Sequence, residues 1–278
     1  MDKTTNGLVY EHFGQNKDIP VVFFAGMNVL PGSDYLGDFP SKLAEHAELF
    51  VVYQEAVSGG LLKRGLYSLE TENNQLKAAL ELVNGRKFLP VTHSFSTVLG
   101  FKLLDQDYRN MQNAQKVLPG VIISPFTSVE DLLVDPDTKK PRKVLGIEAL
   151  PLFKVLRYCP MIVPFFPLAD INAHSDFGVN EKGIIVDRWV NPLTADHAFK
   201  VPECLVKLYP QQKSIGVVTL QDRIFSAEEQ RKRLKQFRVE IVEIDCGHRW
   251  MGDYFGAQKV MDLIISQLDR WNHLTWSK

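Results

Sequence analysis

Apolar and polar positions along this chain follow two rhythms that take turns. Short apolar runs occur at 20–24 (Pro-Val-Val-Phe-Phe), 49–53, 87–91, 117–124, 214–220 and 239–244. These are strand-length. The run at 20–24 has no polar face at all, as expected of a strand covered on both sides. A weaker alternation at 8–13 predicts an early antiparallel strand. Helical spacing fills the intervals at about 35–47, 70–83, 95–104, 227–236 and 257–271. Strands that take turns with helices predict an α/β fold with a mostly parallel central sheet flanked by helices.

The rhythm breaks between 126 and 200. This stretch is rich in proline and large apolar residues, including Leu150, Leu152, Phe153, Met161, Phe165 and Phe166, and it does not alternate. An insertion between two halves of one sheet accounts for this better than two tandem domains. The predicted organisation is therefore a core domain formed by 1–125 and 201–278, with 126–200 inserted as a cap after the sixth strand.

Composition narrows the function classes. The chain has 278 residues, 45% of them hydrophobic and 23% charged, with a formal net charge of −1. That balance makes no electrostatic case for nucleic acid or an anionic membrane as main partner. Three cysteines, Cys159, Cys204 and Cys246, form no framework and predict reduced thiols. No stretch reaches the roughly 18 apolar residues of a membrane span. The first residues lack the apolar core of a secretory leader. A cytoplasmic protein without stable membrane insertion is expected; the oligomeric state stays open. No dinucleotide fingerprint, phosphate loop or zinc spacing occurs, so no metal and no organic cofactor is expected.

The candidate chemistry begins at Thr92-His93-Ser94-Phe95-Ser96, between a strand-like and a helix-like run. A sharp strand-to-helix turn needs small residues two before and two after its apex, usually as G-x-S-x-G. Ser96 is small, whereas Thr92 is β-branched and fits less well. On the pentapeptide alone, Ser94 reads equally as an exposed nucleophile or as a helix N-cap. A serine hydroxyl needs a base, and the base an orienting acid. Asp222 follows the apolar run 214–220, and His248 follows the run 239–244, each in a loop before a helix. Asp222 as a cap for the helix near Ser226, and His248 as a surface loop residue, are the plainer alternatives. Asp245 is a rival acid. His93, beside the apex, is read as a packing residue pointing away from the site.

With Ser94, Asp222 and His248 in this order at strand ends, the chain resembles the α/β-hydrolase superfamily. It is similar in particular to its capped lysophospholipase and monoacylglycerol-lipase-like group, over roughly residues 7–275. The resemblance implies a Ser94 nucleophile, an Asp222 acid and a His248 base. Phe24-Ala25-Gly26-Met27 matches the loop after the third strand, with Ala25 in place of the usual histidine. The backbone N–H groups of Met27 and Phe95 would then form the oxyanion hole.

These features predict a serine hydrolase that cleaves an acyl ester through an acyl-enzyme intermediate. The apolar insertion points to a lipid-like small-molecule substrate, with Leu152, Phe153, Phe165 and Phe166 as lining residues. A thioesterase or acyltransferase would use the same triad. A non-catalytic scaffold binding a hydrophobic ligand is the alternative from a different class.

Overall fold

The computed structural model describes residues 2–15, 17–26, 29, 31–32, 34–54, 71–141, 143–144, 147–148, 150–151, 154 and 213–276. Strands β1 (Asp2–Lys3), β2 (Val9–Phe13), β3 (Val21–Phe24) and β4 (Leu49–Val52) are followed by β5 (Leu89–His93) and β6 (Val121–Ile123). A two-stranded hairpin of β7 (Lys143–Val144) and β8 (Ile147–Glu148) stands apart from the main sheet. Strands β9 (Ile215–Thr219) and β10 (Glu240–Ile244) complete the main sheet. Its order is β1-β2-β4-β3-β5-β6-β9-β10. β1 and β2 pair antiparallel, as do β2 and β4, and every other neighbouring pair is parallel. β1 escapes sequence reading because it is short, polar and exposed, joined to β2 through its backbone.

The helices among the described residues are α1 (Phe39–Ala44), α2 (Thr71–Leu82), α3 (Thr97–Lys102), α4 (Gln106–Met111), α5 (Val129–Leu132), α6 (Ala227–Gln236) and α7 (Tyr254–Trp276). The sheet's two faces sort them by the period-2 alternation of strand side chains. Val21, Phe23, Val51, Val91 and Val217 face α1 and α7, where Leu43, Val260 and Ile264 complete one core. Val22, Phe24, Phe50 and Val52 face the opposite side with Leu76, Leu99 and Leu103 of the α2 and α3 region. A third cluster joins Ile122 and Val218 to Leu234 and Phe237. β3 is therefore apolar throughout because both faces are covered.

Three helices differ from the sequence expectation for identifiable reasons. The predicted helix 35–47 is divided: a 3-10 turn spans Asp34–Leu36, Gly37 adopts φ +51°, and α1 starts only at Phe39. Pro40 fixes this, since proline fits a helix only in its first turn. α7 begins earlier than expected because Asp253 Oδ1 accepts from Phe255 N at 2.9 Å and Gly256 N at 3.2 Å. α4 was not expected; Asp105 caps it by accepting from Asp107 N at 2.8 Å.

Among the described residues, β6 pairs in parallel with β9, the next strand of the main sheet. The insertion expected after the sixth strand spans 126–200. Its greater part, with the expected cap core and Leu152, Phe153, Phe165 and Phe166, lies outside the described residues, as does Met27. No described helix is long and apolar enough to cross a membrane.

Candidate active site

The parallel strands end on one side of the sheet, where open α/β sheets build their sites. β5 runs straight into the turn at Ser94. His93 is extended at φ −126°, and Ser94 is at φ +55°. A non-glycine residue in the left-handed region is strained, and such strain persists only where the surroundings impose it. Ser94 is partly exposed while its neighbours on both sides are buried. A 3-10 turn over Ser94–Ser96 then leads into α3.

Thr92 occupies the position two before the apex, where glycine is usual, and Gly100 makes room for it. A Cβ on Gly100 would lie 2.5 Å from Thr92 Oγ1. The missing glycine of the motif is thus compensated one strand-to-helix contact away. On the other side of the turn, Gly26 lies against the apex: a Cβ there would be 3.1 Å from Ser94 Cβ and 3.3 Å from His93 O. The loop after β3 therefore passes directly beside Ser94.

His248 reaches the apex from the loop after β10. Its Nε2 lies 2.9 Å from Ser94 Oγ, and its Nδ1 lies 2.8 Å from Asp222 Oδ2. A carboxylate only accepts, so Nδ1 carries the proton and Nε2 is left to accept from the serine hydroxyl. The Ser94 hydroxyl thus faces His248 instead of capping a helix. Asp222 and His248 are 5% and 2% exposed, so the pair sits in a dry environment where hydrogen bonds strengthen.

The Asp222 carboxylate is held from both ends. Oδ1 accepts from Ile224 N at 2.7 Å and Phe225 N at 3.1 Å. Oδ2 accepts from Gln230 Nε2 at 3.0 Å and Thr219 Oγ1 at 3.1 Å besides His248. Ser124 Oγ stands 2.9 Å behind Thr219 Oγ1. The cap of α6 is Ser226, which accepts from Glu229 N at 3.3 Å, so Asp222 has no capping role there. Asp245 is exposed and receives Gln221 Nε2 at 2.9 Å, away from the imidazole. Thr219 and Gln230 have no sequence motif; only the folded strand and helix bring them to Asp222.

His93 corrects one expectation. It is a packing residue, in ring contact with Phe23 and Trp250, but it does not point away from the site. Its Nε2 donates to the His248 backbone carbonyl at 3.1 Å, and the two imidazoles stand 5.1 Å apart. Burial holds its pKa well below the usual histidine range; the nearby His248 ring adds to this, and the bond to the His248 carbonyl opposes it. Cys246, two residues before His248, is a free thiol, fully buried. Burial first, then the neighbouring carboxylates, push its pKa up to about 12, which keeps it protonated and unreactive.

Phe95, expected as an oxyanion donor, follows Ser94 in the 3-10 turn, its ring 4.9 Å from that of Phe126. Met27, the other expected donor, lies outside the described residues, two positions after Ala25. Among the described residues no group of three or more His, Cys, Asp or Glu side chains is placed to hold a metal ion.

Solved structures share this architecture across nearly the whole chain. A monoacylglycerol lipase from Paleococcus ferrophilus is 17% identical, with a TM-score of 0.64 over 93% of this chain and 98% of that one. A hydrolase from Oleispira antarctica is 14% identical, with a TM-score of 0.60 over 93% and 95%. A thermophilic esterase from Thermogutta terrifontis is 12% identical, with a TM-score of 0.57 over 95% and 93%. No protein-family model and no curated protein matches the chain. At these identities the likeness establishes the fold: the chain has the α/β-hydrolase fold, shared with esterases and lipases.

Proposed function

We propose that this protein is a serine hydrolase that cleaves acyl esters by two-step acyl transfer. The observation that carries the reading is the continuous hydrogen-bonded chain from Asp222 through His248 to a strained, partly exposed Ser94. His248 Nε2 takes the Ser94 proton as Oγ attacks the acyl carbonyl. Asp222 fixes the tautomer and stabilises the imidazolium. The N–H groups of Phe95 and Met27 receive the oxyanion, in a site where fixed dipoles act strongly. His248 then protonates the leaving alcohol, activates water, and the acid departs. The reaction uses no metal or organic cofactor.

The substrate is a lipid-like acyl ester, of the kind a lysolipid or monoacylglycerol represents. Two things support this. The insertion at 126–200 is strongly apolar in sequence, and a lid built from it, with Leu152, Phe153, Phe165 and Phe166 as lining, would favour an acyl chain by about 0.8 kcal/mol per buried methylene. Among the structural neighbours is a monoacylglycerol lipase. In this reading 1–125 and 201–278 form the catalytic core, with 126–200 as its inserted cap.

The test is fluorophosphonate labelling of the wild type beside Ser94→Ala, followed by a p-nitrophenyl ester series. Labelling is expected in the wild type and absent in the variant, with activity rising beyond acetyl toward longer chains. Labelling that survived the substitution would overturn the nucleophile, and a peak at acetyl would overturn the lipid-like substrate. Faster turnover of acyl-coenzyme A than of acylglycerol would reassign the enzyme as a thioesterase.

A further inference from the structure

The residue two after the apex belongs to a polar cluster with no part in the reaction described above. Ser96 Oγ donates to the Ala25 carbonyl at 2.5 Å and accepts from Gln54 Nε2 at 3.1 Å and Gln75 Nε2 at 3.3 Å. All three side chains are 1% exposed. Sterically the turn asks only for a small residue here, and glycine would serve. Burying a hydroxyl and two amides costs free energy that only well-formed hydrogen bonds recover. The cluster gathers the ends of β3 and β4, the start of α3 and the first turns of α2 onto one carbonyl.

That carbonyl belongs to the peptide linking Ala25 to Gly26, which is trans and planar. Fixing the direction of Ala25 C=O therefore fixes the opposite direction of Gly26 N–H. The remaining groups of this turn are also engaged: Ala25 N donates to Val52 O at 3.0 Å, and Gly26 O accepts from Val29 N at 3.4 Å. Gly26 is the residue that lies against Ser94.

We propose that Ser96, held by Gln54 and Gln75, is a positioning residue for acyl transfer: by anchoring the Ala25 carbonyl it holds the Ser94–Ser96 turn against Gly26 and so aims the Phe95 N–H that receives the oxyanion. This inference rests on the acyl-transfer reading. Its energetic content is directional, since a donor displaced by a fraction of an ångström binds the developing oxyanion less well while ground-state substrate is held as before.

The experiment compares wild type, Ser96→Ala and Gln75→Met. For an acyl ester, Ser96→Ala is expected to lower kcat by about 10- to 100-fold with KM little changed. Affinity for a trifluoromethyl ketone, which forms the tetrahedral oxyanion, should fall by the same factor. Affinity for the corresponding unreactive alkyl amide should not change. Gln75→Met, which removes one support without touching Ala25, should show the same split at smaller amplitude and serves if Ser96→Ala does not fold. Unchanged kcat and ketone affinity in a labelled enzyme would overturn the positioning role alone. Equal losses in ketone and amide affinity would reduce Ser96 to a structural residue. A wild type that neither turns over esters nor reacts with fluorophosphonate would overturn this inference together with the reading beneath it.

Discussion

Thr92 and Gly100 share one site: the threonine side chain of β5 fills the space that a Cβ on α3 would need, at 2.5 Å from Thr92 Oγ1. A glycine inside a helix forgoes about 1 kcal/mol of propensity relative to alanine. Here that loss makes room for a β-branched residue at the turn. Gly100→Ala is expected to destabilise by about 1–3 kcal/mol through overpacking, despite the better propensity. Thr92→Ala should relieve the clash, so the double variant should be more stable than the sum of the single effects by at least about 1 kcal/mol. Urea unfolding of the four proteins measures this coupling. Additive effects would show that the two residues do not compete for space.

Asp222 and Asp245 separate cleanly as candidate acids. Every acceptor direction of Asp222 is used, by two backbone amides and by His248, Gln230 and Thr219. Asp222→Asn places an amide where donors already point. It should lower kcat by about 10³- to 10⁴-fold by favouring the wrong imidazole tautomer, and cost about 1–3 kcal/mol of stability. Asp245→Asn, at an exposed carboxylate bonded to Gln221, should leave turnover unchanged and stability within about 0.5 kcal/mol. Steady-state kinetics and thermal unfolding of the two variants decide the matter. A large kcat loss in Asp245→Asn would reverse the assignment.

Gln230 serves the same carboxylate from α6. Its Nε2 reaches Asp222 Oδ2 at 3.0 Å and Phe225 O at 3.0 Å, while its Oε1 accepts from Thr219 N at 3.1 Å. Gln230→Leu leaves a strand N–H and a loop carbonyl buried without partners. The expected cost is about 2 kcal/mol of stability and, with the acid less firmly oriented, about a tenfold loss of kcat. Chemical denaturation and kcat at saturating substrate check the two effects independently.

The sequence makes part of this arrangement legible and hides the rest for physical reasons. Ser94, Asp222 and His248 are readable because each follows an apolar run, and strand ends in a parallel sheet converge on one side. The strands around them are readable because burial on both faces makes them apolar throughout, as in Val21–Phe24. The Thr92–Gly100 exchange is not readable, because it depends on how closely α3 packs onto β5. The same holds for Ser96 with Gln54 and Gln75, which lie on three different elements. His93 misleads because its contact with the His248 carbonyl depends on how the loop after β10 packs onto β5, which the residues around the turn do not reveal.

His93 also sets a pH dependence of stability. It is fully buried, its Nε2–H is committed to the His248 carbonyl, and Nδ1 has no partner among the described residues. Protonation would place a charge at Nδ1 beside His248 with nothing to receive it. The folded-state pKa is depressed, so below the unfolded value of about 6.5 the unfolded chain binds a proton that the folded chain refuses. The stability tied to this residue is therefore complete above that value and is lost as pH falls below it, down to the folded-state pKa, at up to about 1.4 kcal/mol per pH unit. Gln at this position keeps an N–H for the His248 carbonyl and removes the titration. His93→Gln is expected to lose less stability than the wild type between pH 7 and pH 5, with the difference opening below about pH 6.5. Guanidinium unfolding curves for both proteins across that range measure the slope. Parallel slopes would mean that His93 accepts its proton in the folded state and that another group supplies the acid lability.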